Sequence, residues 1–278
     1  MSSAERVPDA PGVPGVPRAP GLPYERYVAL GDSQTEGLGD GDDATGLRGW
    51  ADRLAEHLAA VNPHLQYANL AVRGRLAGQV RAEQLAPALA LRPDLATVVA
   101  GVNDLMRPRF DAVEVVGHLE AMFAALTAAG ARVVTVTFPD VGKIVPLARP
   151  LRPRVHALNA GIRAAAARHG VPVVETAGHA FAVDPRVWTE DRLHLSPLGH
   201  ERFAAAAAHA VQLPGADDGW TRPLPPYTAV TGRRAATAEL RWIAAHLGPW
   251  LGRRLRGQSS GDGRTAKRSQ LWAVSPPP

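Results

Sequence analysis

The chain predicts an α/β fold, a three-layer α/β/α sandwich around a central five-stranded parallel sheet. Three observations predict it. Short apolar runs alternate five times with longer segments of helical character. The apolar runs are uninterrupted rather than alternating, as strands buried on both faces are. With 278 residues, of which 46% are hydrophobic, the chain can bury a core of that size.

The elements follow in order. Tyr27-Val28-Ala29-Leu30 is a short apolar run ending at Gly31, a buried strand followed by a turn. Trp50 to Val61 carries Leu54, Leu58 and Val61 at helical spacing. Leu65 to Leu70 reads as a strand, and Leu76 to Leu89 as a helix broken near Pro87. Leu95 to Ala100 is a second buried strand. Val113 to Ala129 is helical and stops at Gly130. Arg132 to Phe138 is a β-branched strand ended by Pro139. A loop then runs to Pro150, a helix to about His169, and a last short strand covers Val171 to Val174. Ser196-Pro197 opens the final helix, with Ser as N-cap and Pro in the first turn.

This body occupies residues 24–213. In the leader, 1–23, proline recurs at positions 8, 11, 14, 17, 20 and 23. That is the polyproline II period, and the leader reads as a solvated, disordered segment or a Pro-rich docking peptide. Residues 214–278 read as a basic extension, helical from Ala235 to Leu247 with Leu240, Ile243 and Leu247 on one face. From Gln258 onward the composition predicts disorder.

The net charge of +5 is uneven. From Gly219 onward ten Lys and Arg face two acidic residues, whereas residues 1–218 are slightly acidic. A nucleic-acid or membrane role therefore concerns the tail alone, and no recognised nucleic-acid module accompanies it. Trp242, Trp250, Leu251 and Leu255 among arginines leave two readings: a helix packed on the body, or peripheral contact with an anionic membrane. No apolar run approaches the length of a transmembrane helix, and the first residues lack the apolar core of a secretory signal. The expected location is cytoplasmic. Cysteine is absent, which removes disulfide and thiolate chemistry.

Three strand ends and one later loop carry the chemistry. The first end reads Gly31-Asp32-Ser33-Gln34-Thr35-Glu36-Gly37, placing a serine hydroxyl just beyond a buried strand. The second reads Asn69-Leu70-Ala71-Val72-Arg73-Gly74, where a glycine lets a backbone N–H approach a ligand. The third reads Gly101-Val102-Asn103-Asp104, whose asparagine amide can face a developing oxyanion. The loop reads Asp191-Arg192-Leu193-His194, in which the carboxylate can hold one imidazole nitrogen while the other faces outward. Each piece alone is equally at home as an ordinary turn.

In this order and combination the four stretches resemble the SGNH hydrolases, also called GDSL lipases and acylhydrolases. GDSQTEG, Gly74, GVND and DRLH stand where that family has its Ser, Gly, Asn and His blocks. The resemblance covers about residues 25–210 and implies a flavodoxin-like sandwich. It implies a serine esterase with Ser33, Asp191 and His194 catalytic, and an oxyanion hole from Ser33, Gly74 and Asn103. The implied chemistry needs no metal or cofactor, and the partner is a small-molecule ester. An acyltransferase would use the same site, and an adaptor acting through its tails is the reading of a different class. Gln34 stands where the family often has Leu or Ile, beside the nucleophile, where it would affect substrate fit. Trp188 is a candidate wall of the acyl pocket and Arg73 a candidate contact for an anionic substrate. His200-Glu201 does not continue into a zinc-protease motif, because position 204 is Ala.

Overall fold

The computed structural model describes residues 24–228, 232–249, 252, 256 and 259–275; the Pro-rich leader lies outside them. The first strand, β1 (Arg26–Gly31), runs into a one-turn helix, α1 (Ser33–Glu36). A small hairpin, β2 (Gly41–Asp42) and β3 (Gly46–Leu47), leads to α2 (Trp50–Val61). Then come β4 (Gln66–Asn69), α3 (Ala77–Ala90), β5 (Leu95–Val99), the short α4 (Val102–Leu105) and α5 (Ala112–Ala128). β6 (Arg132–Val136) is followed by α6 (Val141–Ile144), a 3₁₀ segment at Pro146–Leu151, α7 (Arg152–Arg168) and β7 (Val173–Val174). α8 (Pro197–Ala210) closes the body, and α9 (Gly232–Trp242) and β8 (Arg268–Ala273) belong to the C-terminal extension.

The sheet has the order β7-β6-β5-β1-β4-β8. Every pairing is parallel except β4 with β8. All five residues of β5 are buried, which explains its unbroken apolar character. The chain crosses over between β1 and β5, so a crevice opens beyond their carboxyl ends. Ser33 and Asn103 sit just past those two ends.

Three expectations change. Among the described residues the sheet has six strands rather than five, because Arg268–Ala273 adds an antiparallel edge, pairing Gln66 with Ala273 and Tyr67 with Trp272. This segment falls in the stretch whose composition predicts disorder. Its order comes from β4's open edge, from Arg268 lying 5.3 Å over the Tyr67 ring, and from Lys267 donating to Asp52 at 2.6 Å. Helix α3 also runs through Pro87 without a break. Pro87 lies close to the helix end, so it removes one N–H bond and little else. Finally, the predicted loop after β6 contains α6 and the 3₁₀ segment, started by Asp140 accepting from Gly142 N.

The N-cap prediction for α8 holds: Ser196 accepts from Gly199 N, with Pro197 in the first turn. No helix among the described residues is long and apolar enough to cross a membrane.

Candidate active site

Ser33 begins α1, and the preceding turn leaves no room for a side chain at position 31. A Cβ on Gly31 would fall 2.5 Å from both the Val99 carbonyl oxygen and Thr35 Oγ1. Gly31 is further held by Gln84, whose Oε1 accepts from Gly31 N at 2.8 Å and whose Nε2 donates to Gly31 O at 2.9 Å. Asp32 caps α1 by accepting from Gln34 N. Ser33 N–H stands in the first turn of α1, where helices have no internal acceptor to offer.

Gly74 adopts φ +77°, a left-handed conformation that favours glycine. Asn103 lies in α4, and its Nδ2 donates to Asp32 Oδ2 and to the Arg75 carbonyl, both at 3.1 Å. The Asp191–His194 loop folds on itself, with Asp191 Oδ1 accepting from Leu193 N and His194 N. Asp191 Oδ2 lies 2.7 Å from His194 Nδ1. Ser33, Gly74, Asn103, Asp191 and His194 all line one cavity of about 1100 Å³, so the four distant stretches converge.

Two carboxyls at the site are shifted in opposite directions. Burial alone would raise Asp191. The hydrogen bond and charge of His194, with the Thr189 hydroxyl and His194 N–H, outweigh it and hold Asp191 well below the usual carboxylate range. Asp32 is 1% exposed, and burial pushes its carboxyl up to about 7. Against that burial act the N–H of Gln34, the His194 charge and the Asn103 amide, while the charge of Asp104 adds to it.

The secondary candidates divide. Trp188 lines the cavity, its Nε1 donating to the Ala182 carbonyl. Arg73 is not among the lining residues; its guanidinium is taken up by Glu36 at 2.6 Å and Asp43 at 2.8 Å. The reason is burial: the Glu36 side chain is 7% exposed, and its charge requires a partner inside the protein. Gln34 lines the cavity, but its amide is spent on the Asp191–His194 loop and Leu195 rather than left for substrate. Its Nε2 donates to Leu193 O and its Oε1 accepts from Leu195 N. His200 is structural: Nδ1 accepts from Trp50 N, Nε2 faces the Leu38 carbonyl, and burial lowers its pKa to about 4. Among the described residues no group of three or more His, Cys, Asp or Glu is placed to hold a metal.

Several contributors escape the sequence reading. Gln84 occupies the buried stripe of α3 between Val80 and Ala88, and a polar residue in an apolar stripe is the signal that could have found it. Trp242, Leu247, Ser259 and Ser260 of the extension also line the cavity. Gly257–Gly261 spells a Gly-x-Ser-x-Gly string. Ser259, however, is followed by a turn and β8 rather than by a helix, so the strand-to-helix elbow that gives this motif its chemistry is lacking.

A parallel α/β/α sheet with a serine, an Asp–His pair and an amide gathered at its crossover edge defines a hydrolase of the esterase type. The model of the GDSL-like lipase/acylhydrolase family matches residues 29–202, more than half of the chain, and the chain belongs to that family. No curated protein matches it. Among solved structures it is similar to LAE5, described as an alpha/beta hydrolase enzyme from the metagenome of Lake Arreo, Spain. That likeness has 24% identity and a TM-score of 0.57, and covers 67% of this chain and 94% of that one. It is also similar to a lipase/acylhydrolase from Enterococcus faecalis (23%, TM-score 0.56, covering 68% and 95%). The acetylxylan esterase Axe2 from Geobacillus stearothermophilus is a third (20%, TM-score 0.57, covering 71% and 96%). At these identities the likeness to solved structures speaks for the fold.

Proposed function

We propose that this chain is a serine esterase that hydrolyses carboxylic esters through an acyl-serine intermediate. The observation that carries the reading is the 2.7 Å contact between Asp191 Oδ2 and His194 Nδ1, on a loop that borders the same cavity as Ser33. A carboxylate held ionised at that nitrogen selects the tautomer in which Nδ1 carries the proton and Nε2 is free to accept one.

His194 Nε2 takes the Ser33 Oγ proton as Oγ bonds to the ester carbonyl carbon, and the carbonyl electron pair moves onto oxygen. The oxyanion accepts from Ser33 N–H, Gly74 N–H and the Asn103 amide, which turns one N–H away from the Arg75 carbonyl. Each such donor is worth about 10²–10³ in turnover. Collapse expels the alcohol, which takes its proton from His194. Water, deprotonated by the same imidazole, then attacks the acyl-serine, releases the acid and restores Ser33. Catalytic mutants of the Geobacillus esterase change a serine, an aspartate and a histidine, the same three residue types.

The test is labelling by a fluorophosphonate probe, together with hydrolysis of p-nitrophenyl esters. Labelling should vanish in Ser33→Ala and persist in Ser259→Ala. A folded wild type that neither labels nor hydrolyses any ester would overturn the assignment.

A further inference from the structure

The C-terminal extension lies beyond the stretch matched by the family model, yet it builds part of the cavity. α9 ends at Trp242, and a π-helical turn (Ile243–Leu247) follows; Trp242, Ala245, Leu247 and Pro249 all line the space that contains Ser33 and His194. The helix is fastened to the catalytic loop by Arg192, which stands between Asp191 and His194. Its Nη1 donates to Glu239 at 2.6 Å, and its guanidinium lies 4.6 Å from the Trp242 ring centre.

A second part of the extension reaches the oxyanion side. A Cβ on Gly74 would fall 2.3 Å from Ser259 Oγ, so the Ser259–Ser260 turn abuts that glycine. The turn is braced internally by Ser259 N donating to Asp262. Beyond it, Arg264 donates to Asp43 at 2.7 Å, Lys267 donates to Asp52, and β8 joins the sheet. The extension is therefore tied to the body on both sides of the site.

What the walls are made of decides what they hold. The segment after β6 supplies Val141, Ile144 and Leu147, the catalytic loop supplies Trp188, and the extension supplies Trp242 and Leu247. Among the described lining residues, the titratable groups are those of the loop Glu190–His194, next to the reacting atoms, and His246; the others are apolar or uncharged polar. At about 1100 Å³ the cavity lies at the upper end of small-molecule sites, far beyond what an acetyl group fills.

We infer that the cavity beside Ser33 is an acyl-chain site, that the substrates are esters of medium-length to long unbranched apolar acids, and that the extension is the wall that selects chain length. This inference rests on the acyl-serine reading above. Each methylene buried on apolar walls is worth roughly fourfold in kcat/KM.

The experiment measures kcat/KM for p-nitrophenyl esters from acetate to dodecanoate, using the full chain. The wild type should prefer octanoate to acetate by a hundredfold or more. Ala245→Trp, which fills the wall, should lower the octanoate-to-acetate ratio at least tenfold. Leu240→Ser, on the exposed side of the same helix at 68% exposure, should leave the ratio as it is. If Ala245→Trp does not fold, Leu247→Ser places a hydroxyl in the same wall without added bulk and should lower the ratio in the same direction. A wild type that prefers acetate, or a ratio unmoved by the folded wall variant, overturns the acyl-chain site while leaving the esterase intact. Failure of Ser33 to label, with no hydrolysis of any ester, would instead remove the reading on which it rests.

Discussion

Gln34 donates from Nε2 to the carbonyl of Leu193 at 2.6 Å, and its Oε1 accepts from Leu195 N at 3.4 Å. One side-chain amide, on the residue after Ser33, thus grips the backbone on both sides of His194. This link ties the segment that carries the Ser33 hydroxyl to the loop that carries the His194 imidazole, two stretches far apart in the chain. Misplacing a base by about 1 Å can cost two orders of magnitude. We therefore expect Gln34→Glu, which keeps the shape but loses the donor to Leu193, to lower kcat about tenfold to a hundredfold with KM little changed. Steady-state kinetics check it; a fall confined to KM would return Gln34 to substrate fit.

Asp191→Asn should lower kcat by about 10³–10⁴ while leaving the fold intact. The amide can no longer stabilise the imidazolium, and it favours the wrong tautomer at Nδ1. Thermal melting and kcat measured on the same preparation separate this from a folding defect.

Arg73→Ala should destabilise the protein by about 3–5 kcal/mol, because Glu36 would be left charged and buried without its partner. The double variant Arg73→Met, Glu36→Gln should recover most of that loss. Urea denaturation of the wild type and these two variants measures both effects, and a loss of under 1 kcal/mol in Arg73→Ala would mean that Glu36 finds water instead.

Asp32 makes stability fall as pH rises. Its folded carboxyl, raised to about 7, keeps a proton that the unfolded chain releases near the ordinary aspartate value of 3.8. The folded state therefore binds more protons across that window, so this contribution is complete below it and is lost as pH climbs through about 7. Asp32→Asn should flatten the decline of Tm between pH 4 and 7 relative to wild type. Parallel Tm curves would show that Asp32 ionises as readily in the fold as out of it.

Most of the architecture was legible because buried parallel strands must be continuously apolar and the helices between them must be amphipathic. Tyr27–Leu30 and Leu95–Val99 carry that signal in their composition. The candidate site residues stood out for a related reason: Ser33, Gly74 and Asn103 each follow a strand, and strand ends are where such a sheet gathers its ligands. Their meeting with His194 in one cavity lies in the fold, not in any one stretch.

What sequence alone could settle here was local: which segments are strands or helices, and which residue types stand at their ends. Tertiary structure decided the non-local pairings, in which a partner's identity depends on what the chain brings alongside. Arg73 carries the same charge whether it faces a substrate or Glu36, and only the burial of Glu36 determines which. Arg268–Ala273 has no composition that demands order, and becomes a strand because the fold leaves the edge of β4 open beside it.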